Sequence, residues 1–131
     1  MGEVAYLDSS AFVKLIKEEP ESEALYRELE LWPVRASSRL LRLEVARAAA
    51  RVGREAARRA AAMLADVALI PLDETVLIAA ERAAPTGLGS LDAIHLATAV
   101  SLDSDLGLFL AYDVALLEAA GAAGLTTRAP S

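Results

Sequence analysis

The sequence predicts a single α/β domain with a mostly parallel central sheet of four to five strands and helices on both faces. Short, continuously apolar runs alternate along the chain with helix-forming segments, a pattern typical of buried parallel strands joined by helical crossovers. The length of 131 residues and the hydrophobic share of 55% suit one core, so residues 1–131 are predicted to form one domain.

The predicted strands are the short apolar runs bounded by charged or turn-forming residues. Because these runs do not alternate apolar with polar residues, each strand is expected to be buried on both faces. In chain order the strands cover residues 4–7, 34–37, 67–72, 106–112 and, as a short edge strand, 125–128.

The predicted helices lie between capping residues and helix-breaking residues. The N-caps that we assign are Ser9 or Ser10, Asp73 and Ser90, and the helix stops are Pro20, Pro33, Gly53, and Gly121 or Gly124. The helices then cover residues 9–19 and 21–31, two arginine- and alanine-rich stretches on either side of position 53, residues 73–84 and 90–102, and a last helix before the edge strand.

Charge is distributed unevenly along the chain. The total is −6, yet the segment from Arg35 to Arg59 holds eight arginines against two glutamates, a balance of +6 that leaves −12 for the rest. This separation predicts a basic surface beside an acidic pocket, unless the arginines only form ion pairs on a solvated helix face. The arginines that we assign to phosphate contacts are Arg39, Arg42, Arg47 and Arg51.

Composition also limits where the protein is expected to act. The chain has no cysteine, so disulfides and thiolate metal ligands are unavailable, as is usual in a reducing compartment. Apolar runs stay short of the ~20 residues of a membrane span, and the first strand follows Met1 too closely for a signal peptide. We therefore expect a cytoplasmic protein with no membrane partner.

Two aspartates stand directly after predicted strands, namely Asp8 in VAYLDSSAF and Asp113 in LFLAYDVALL. Because the carboxyl ends of parallel strands meet at one edge of a sheet, these side chains are expected to share a crevice. Each aspartate also precedes a helix, so the alternative for each is a helix N-cap. Asp103 and Asp105 precede a strand and are expected at the opposite edge.

Two further acids occupy notable helix positions. Glu44, in RLLRLEVARAAA, borders an apolar stripe, where a charged carboxylate is unfavourable unless it is paired. Either Arg47 pairs with Glu44, or Glu44 faces the crevice and binds a cation. Asp92, in GSLDAIHLATAV, lies in the first turn of its helix, where the helix dipole favours an acid. The glycines before Asp92 would let that turn reach the crevice.

Convergence of these four acids would have a chemical consequence. Like charges a few ångströms apart cannot all stay ionised, so they take up protons or a cation. Oxygen ligands without cysteine suit Mg²⁺ or Mn²⁺, and such a centre supports in-line displacement at phosphorus. The only histidine, His95, lies on a mostly apolar helix and is expected to be packed and hydrogen-bonded, with no role in the chemistry.

Four stretches in order carry a family resemblance: YLDSSAFVKLIKEEPESE, LLRLEVARA, SLDAIHLATAV and LFLAYDVALLEAA. Together they resemble the PIN-domain ribonucleases, and among these most of all the VapC toxins of bacterial and archaeal toxin–antitoxin pairs. The resemblance runs from Tyr6 to about Leu125. It implies a PIN-like fold and a metal-dependent endoribonuclease that cleaves structured RNA, especially tRNA or ribosomal RNA.

The resemblance also implies roles for individual residues and for partners. The four acids that bind Mg²⁺ or Mn²⁺ in the family match Asp8, Glu44, Asp92 and Asp113, and a polar neighbour of that site matches Ser10. We predict that Asp8 and Asp92 hold the principal ion. The implied partners are a VapB-type antitoxin that covers the crevice and a second copy of the chain in a homodimer.

One departure from the family pattern keeps an alternative function open. The family commonly has Thr or Ser two residues before the last aspartate, and this chain has Ala111 there. A non-cleaving PIN-like scaffold that binds RNA or a partner through its basic segment is therefore the alternative. Rival enzyme folds fit less well, because a receiver domain needs a lysine after a late strand and the only lysines are Lys14 and Lys17. A haloacid-dehalogenase-like phosphatase needs an aspartate where Ser10 stands.

Overall fold

The computed structural model describes residues 2–131, in which five strands form one all-parallel sheet. The order of the strands across the sheet is β3-β2-β1-β4-β5. They are β1 Val4–Leu7, β2 Val34–Ser38, β3 Ala68–Ile70, β4 Leu106–Leu110 and β5 Thr127–Arg128. The predicted α/β class and the parallel sheet are confirmed, and the last three strands are shorter than their apolar runs.

Helices connect successive strands and cover both faces of the sheet. Within the described residues they are α1 Ser9–Ile16, α2 Ser22–Leu29, α3 Leu40–Val52, α4 Arg54–Leu64, α5 Glu74–Glu81, α6 Ser90–Ser101 and α7 Val114–Ala122, with a 3₁₀ turn at Asp103–Asp105. None of these helices combines the length and the apolar character that crossing a membrane requires.

Two of the predicted helix caps are wrong, each by one position. The cap of α1 is Asp8 and not Ser9 or Ser10, because Asp8 still has the extended backbone of the strand while the serines are already helical. The cap of α6 is the extended Gly89 and not Ser90, and it offers no side-chain acceptor. The predicted cap of α5 is confirmed, since the Asp73 side chain accepts the Val76 N–H at 2.9 Å.

The core has two layers, one on each face of the sheet. Alternate residues of a strand enter opposite layers: Leu108 and Leu110 pack with α1 to α4, and Phe109 packs with α6 and α7. The central strands are therefore buried on both faces, which explains why their sequences are continuously apolar.

The strand order reverses between β1 and β4, and this point positions the site. The chain winds outward from β1 to β3 on one side and through β4 to β5 on the other. In such sheets the crevice at the reversal, outside the carboxyl ends of the strands, is the usual binding place. Pairing of β1 with β4 shifts register between Val4 and Ala5, where Gly107 is an extra residue in β4.

Candidate active site

Asp8 is a buried carboxylate held in place at the end of β1. It is 2% exposed, and its Oδ1 accepts the Ala11 N–H at 3.0 Å. The Ser10 hydroxyl lies 2.7 Å and 2.8 Å from the two carboxylate oxygens of Asp8 and donates to them. Ser10 Oγ in turn accepts the Tyr112 N–H at 2.9 Å, so it links Asp8 to the segment after β4.

Asp113 lies three residues beyond the end of β4, directly before α7, and is exposed. Its Oδ1 accepts the Leu116 N–H at 2.9 Å and so caps α7. The capping role expected as the alternative for Asp8 and Asp113 is therefore present in both. Capping of α7 uses one oxygen, Oδ1, and it is compatible with binding of a ligand by the other.

Glu44 is paired with His95 and not with Arg47. Its Oε1 lies 2.7 Å from His95 Nε2, and its side chain is 16% exposed. Arg47 is an exposed residue of α3 and forms no ion pair with Glu44, so the alternative in which these two residues pair is wrong. The expected packing and hydrogen bonding of His95 are confirmed, because its ring is 1% exposed and both of its nitrogens have polar neighbours.

Asp92 lies in the first turn of α6, as predicted, within the field of two other acids. Burial raises the pKa of Asp92 above its ordinary value, and the nearby charges of Asp113 and Glu44 raise it further, while His95 opposes this shift. Burial also raises the pKa of Asp8, against the hydrogen bonds from Ser10 and Ala11 that favour its charged form. The edge of the sheet therefore holds carboxylates whose ionised forms are destabilised.

Asp92, Asp113 and Glu44 share an electrostatic field without forming a closed cage. Within residues 2–131, no three His, Asp or Glu side chains are gathered closely enough to hold a metal ion as they stand. Asp92 is only half-buried, so its side chain has room to change rotamer, whereas Asp113 is held by its bond to the Leu116 N–H. The 3₁₀ turn with Asp103 and Asp105 precedes β4 and lies at the opposite edge, as predicted.

Ala111, the position that departs from the family pattern, belongs to the core and is fully buried. It packs in the layer that contains Phe109 and Leu116, and its N–H donates to the Arg128 carbonyl at 3.3 Å. Asp113 is oriented by the backbone of its own helix and does not need a hydroxyl at position 111 to hold it.

The four arginines assigned to phosphate contacts are all exposed and lie at the start or along the solvent side of α3. None of them forms an ion pair with a described residue, which argues against the alternative of a paired surface. Arg47 and Arg51 follow Glu44 by three and seven residues, so they share its side of the helix. Arg42 instead borders an apolar cavity of about 410 Å³ between α3 and α4.

Comparison with known proteins decides the family. The family model described as PIN domain matches residues 5–122 of this chain. The chain belongs to the PIN-domain family. This PIN domain is 46% identical over 126 residues to ribonuclease VapC46 of Mycobacterium tuberculosis, covering 96% of this chain and 97% of the relative. It is 37% identical to ribonuclease VapC47 of the same species, covering 95% and 96%.

Solved structures share the fold at low sequence identity. A VapBC2 structure from Rickettsia felis, described as bound to a promoter DNA fragment, matches with a TM-score of 0.77 and 14% identity over 98% of this chain and 99% of that one. Mycobacterium tuberculosis VapC20, described as a sarcin–ricin loop cleaving toxin, matches with a TM-score of 0.73 and 21% identity over 96% and 99%. The fold predicted from the resemblance is thus confirmed.

The raised pKa of Asp92 predicts a pH-dependent loss of stability in the metal-free PIN domain. A carboxyl group whose pKa is higher in the folded chain favours folding at acid pH, and this contribution disappears as pH rises through the folded pKa. Asp92→Asn should therefore raise the free energy of unfolding at pH 7 by about 0.5 kcal/mol, a small gain because solvent screens a half-exposed group. Urea unfolding of the wild-type and variant proteins should show that this difference in free energy of unfolding becomes smaller toward pH 4. A difference that grows toward acid pH would contradict the raised pKa of Asp92.

Proposed function

We propose that this PIN domain is a divalent-metal-dependent endoribonuclease, the toxin of a toxin–antitoxin pair. The observation that carries the proposal is the destabilised charge of Asp92, which lies within the field of Asp113 and Glu44. Asp8, at the end of β1, is a second carboxylate whose charged form burial disfavours. A carboxylate cluster of this kind is relieved by protons or by a cation. Two relatives with high coverage, at 46% and 37% identity, are named ribonucleases, which supports the same activity here.

The donor set fits Mg²⁺ or Mn²⁺, because it consists of carboxylate oxygens. We assign the principal ion to Asp8 and Asp92, whose pKa values are both raised, with Glu44 and Asp113 completing the acidic ring directly or through water. An ion bound there lowers the pKa of a water and neutralises charge on the phosphoryl group during in-line attack. Ser10 keeps the Asp8 carboxylate in one orientation, and the first turn of α7 does the same for Asp113.

The substrate that we propose is a structured RNA, with tRNA or ribosomal RNA loops as the first candidates. The exposed arginines of α3 supply positive charge on the same helix as Glu44, where they would bind phosphates beside the scissile bond. An RNA substrate of this kind places the protein in the cytoplasm.

The proposed partners are a VapB-type antitoxin over the crevice and a second copy of the chain. Leu91 and Val114 adjoin Asp92 and Asp113 in sequence and are 52% and 68% exposed, so apolar side chains flank the acids and would favour a covering protein. The helices α5, α6 and α7 contain no arginine and expose Leu77, Ile78 and Val100, which makes them our candidate dimer surface.

The function is tested by incubating the purified protein with total RNA in Mn²⁺, in Mg²⁺ and in excess chelator. We expect discrete fragments with either ion and none with chelator, with 5′-phosphate and 3′-hydroxyl ends, because water is the attacking group. Retention of RNA without cleavage would favour the scaffold alternative. Fragments that carry a 2′,3′-cyclic phosphate would contradict the mechanism, since they indicate attack by the hydroxyl of the RNA itself.

Asp8→Asn should reduce cleavage by at least about 100-fold, as expected for loss of a metal ligand. The fold should persist, because asparagine caps a helix as well as aspartate does, and the metal-free variant should melt at the same or a slightly higher temperature. The matched control is Asp73→Asn, which changes an N-cap of the same geometry on α5 outside the acidic cluster. If both variants lose activity equally, or if only Asp8→Asn unfolds, the role of Asp8 is structural and not metal binding.

Arg47→Ala combined with Arg51→Ala should weaken RNA binding and reduce its salt dependence. Each lost phosphate contact should lower the slope of log K against log salt by about 0.7 for single-stranded RNA. Filter binding across a salt series, with a metal-free protein so that RNA stays intact, measures this slope. Arg58→Ala is the control, because Arg58 lies on α4 and already faces Glu55 at 3.5 Å. An unchanged slope in the double variant would remove these arginines from the RNA interface.

A further inference from the structure

Glu44 is the end of a buried chain of hydrogen bonds that begins at the backbone of β2. The Ser38 N–H donates to Tyr6 Oη at 3.1 Å, and Tyr6 Oη lies 2.7 Å from His95 Nδ1. His95 Nε2 lies 2.7 Å from Glu44 Oε1. The chain thus joins β2, β1, α6 and α3 in one polar path through an otherwise apolar layer.

The direction of donation follows from the last link. Because an ionised carboxylate can only accept, we assign the ring proton of His95 to Nε2, which donates to Glu44. Nδ1 of the neutral imidazole then accepts the Tyr6 hydroxyl proton, while Tyr6 Oη accepts the Ser38 N–H. Glu44 Oε1 is then occupied by the imidazole, and the second oxygen of the carboxylate is available to the crevice.

Packing alone does not account for the polar atoms of this path. The Tyr6 ring stacks on Phe109 with centroids 5.4 Å apart and meets the His95 ring edge-on at 5.8 Å, contacts that an apolar ring could also make. Burying a hydroxyl and an imidazole is unfavourable unless every polar atom is bonded. Within residues 2–131 no buried side-chain N or O atom lacks a partner, so the path is complete.

We propose that Tyr6 and His95 are positioning residues that fix the orientation of the Glu44 carboxylate toward the metal site; this inference rests on the proposed function. Glu44 projects from a helix surface, where a glutamate has several rotamers, and it is only 16% exposed. The bond to a buried, immobile imidazole selects one of them. Hydrogen-bond partners behind a ligand commonly contribute 10–100-fold in metal affinity or activity, so about tenfold is expected for His95.

The test compares His95→Leu, His95→Gln and Tyr6→Phe for Mn²⁺ binding by calorimetry without RNA, and for steady-state cleavage. His95→Leu should weaken Mn²⁺ binding about tenfold and lower kcat while KM for RNA stays unchanged. His95→Gln should recover part of the loss, because its amide N–H can donate to Glu44. Tyr26→Phe is the control for Tyr6→Phe, since it removes a tyrosine hydroxyl that donates to the Leu15 carbonyl far from the acids.

The pathway through Glu44 is tested by repeating His95→Leu in a Glu44→Gln background. We expect no further loss of Mn²⁺ affinity there, and an equal loss in both backgrounds would overturn the proposal.

NMR of the metal-free protein gives a readout that does not need the ion. The His95 Nε2–H resonance should be protected from exchange in the wild-type chain and shifted in Glu44→Gln. If the bond from His95 Nε2–H to Glu44 is absent, only the positioning role of His95 is overturned. If the bond is intact but the protein neither binds Mn²⁺ nor cleaves RNA, both the proposed function and the positioning role are overturned.

Discussion

Destabilised carboxylate charge at one edge of the sheet is the constraint around which this PIN domain is organised. Burial is the largest cause at Asp8 and Asp92, and repulsion from Asp113 and Glu44 adds to it at Asp92. The destabilised charge of Asp92 arises where the sheet brings the ends of β1 and β4 together and α6 begins beside them. A fold tolerates such a concentration only if other interactions hold the acids in place. Here the backbone supplies most of that restraint through helix starts, and side-chain hydrogen bonds supply the rest.

The aspartates after β1 and β4 show how structure and chemistry share one side chain. Asp8 follows β1 directly and Asp113 lies three residues beyond the end of β4. Each accepts an N–H three residues on and so starts the next helix, in the same way as Asp73 outside the cluster. Capping restrains the carboxylate at a small free-energy cost, because the first turn of a helix needs a hydrogen-bond acceptor at that position in any case. The structural role of Asp8 and Asp113 is therefore compatible with the ligand role that we propose for them.

The sequence predicted features that depend on local pattern and missed those that depend on pairing between distant helices. Asp8 and Asp113 could be placed at one edge because an all-parallel sheet puts every strand end there. The predicted caps of α1 and α6 lie too far along the chain, because residue type alone does not determine where the extended backbone ends. For Glu44 the sequence offered only Arg47, a neighbour on the same helix, as a pairing partner, whereas the observed partner His95 is 51 positions away. Only the packing of α6 near α3 could reveal that pair.

The extra residue in β4 controls which side chains the strand offers to each layer. Beyond Gly107, β4 is one residue out of step with β1, so that Leu7 stands opposite Leu110. Gly107 also lies so close to Gly2 and Trp32 that a side chain would collide with them, which confines the irregularity to this point. Without Gly107 the pairing of Val4 with Leu106 would continue directly into that of Ala5 with Leu108, and β4 would run in regular step with β1. A residue gained or lost beyond this point would instead turn every later side chain of β4 to the opposite layer, so the length of that stretch decides which layer each side chain enters.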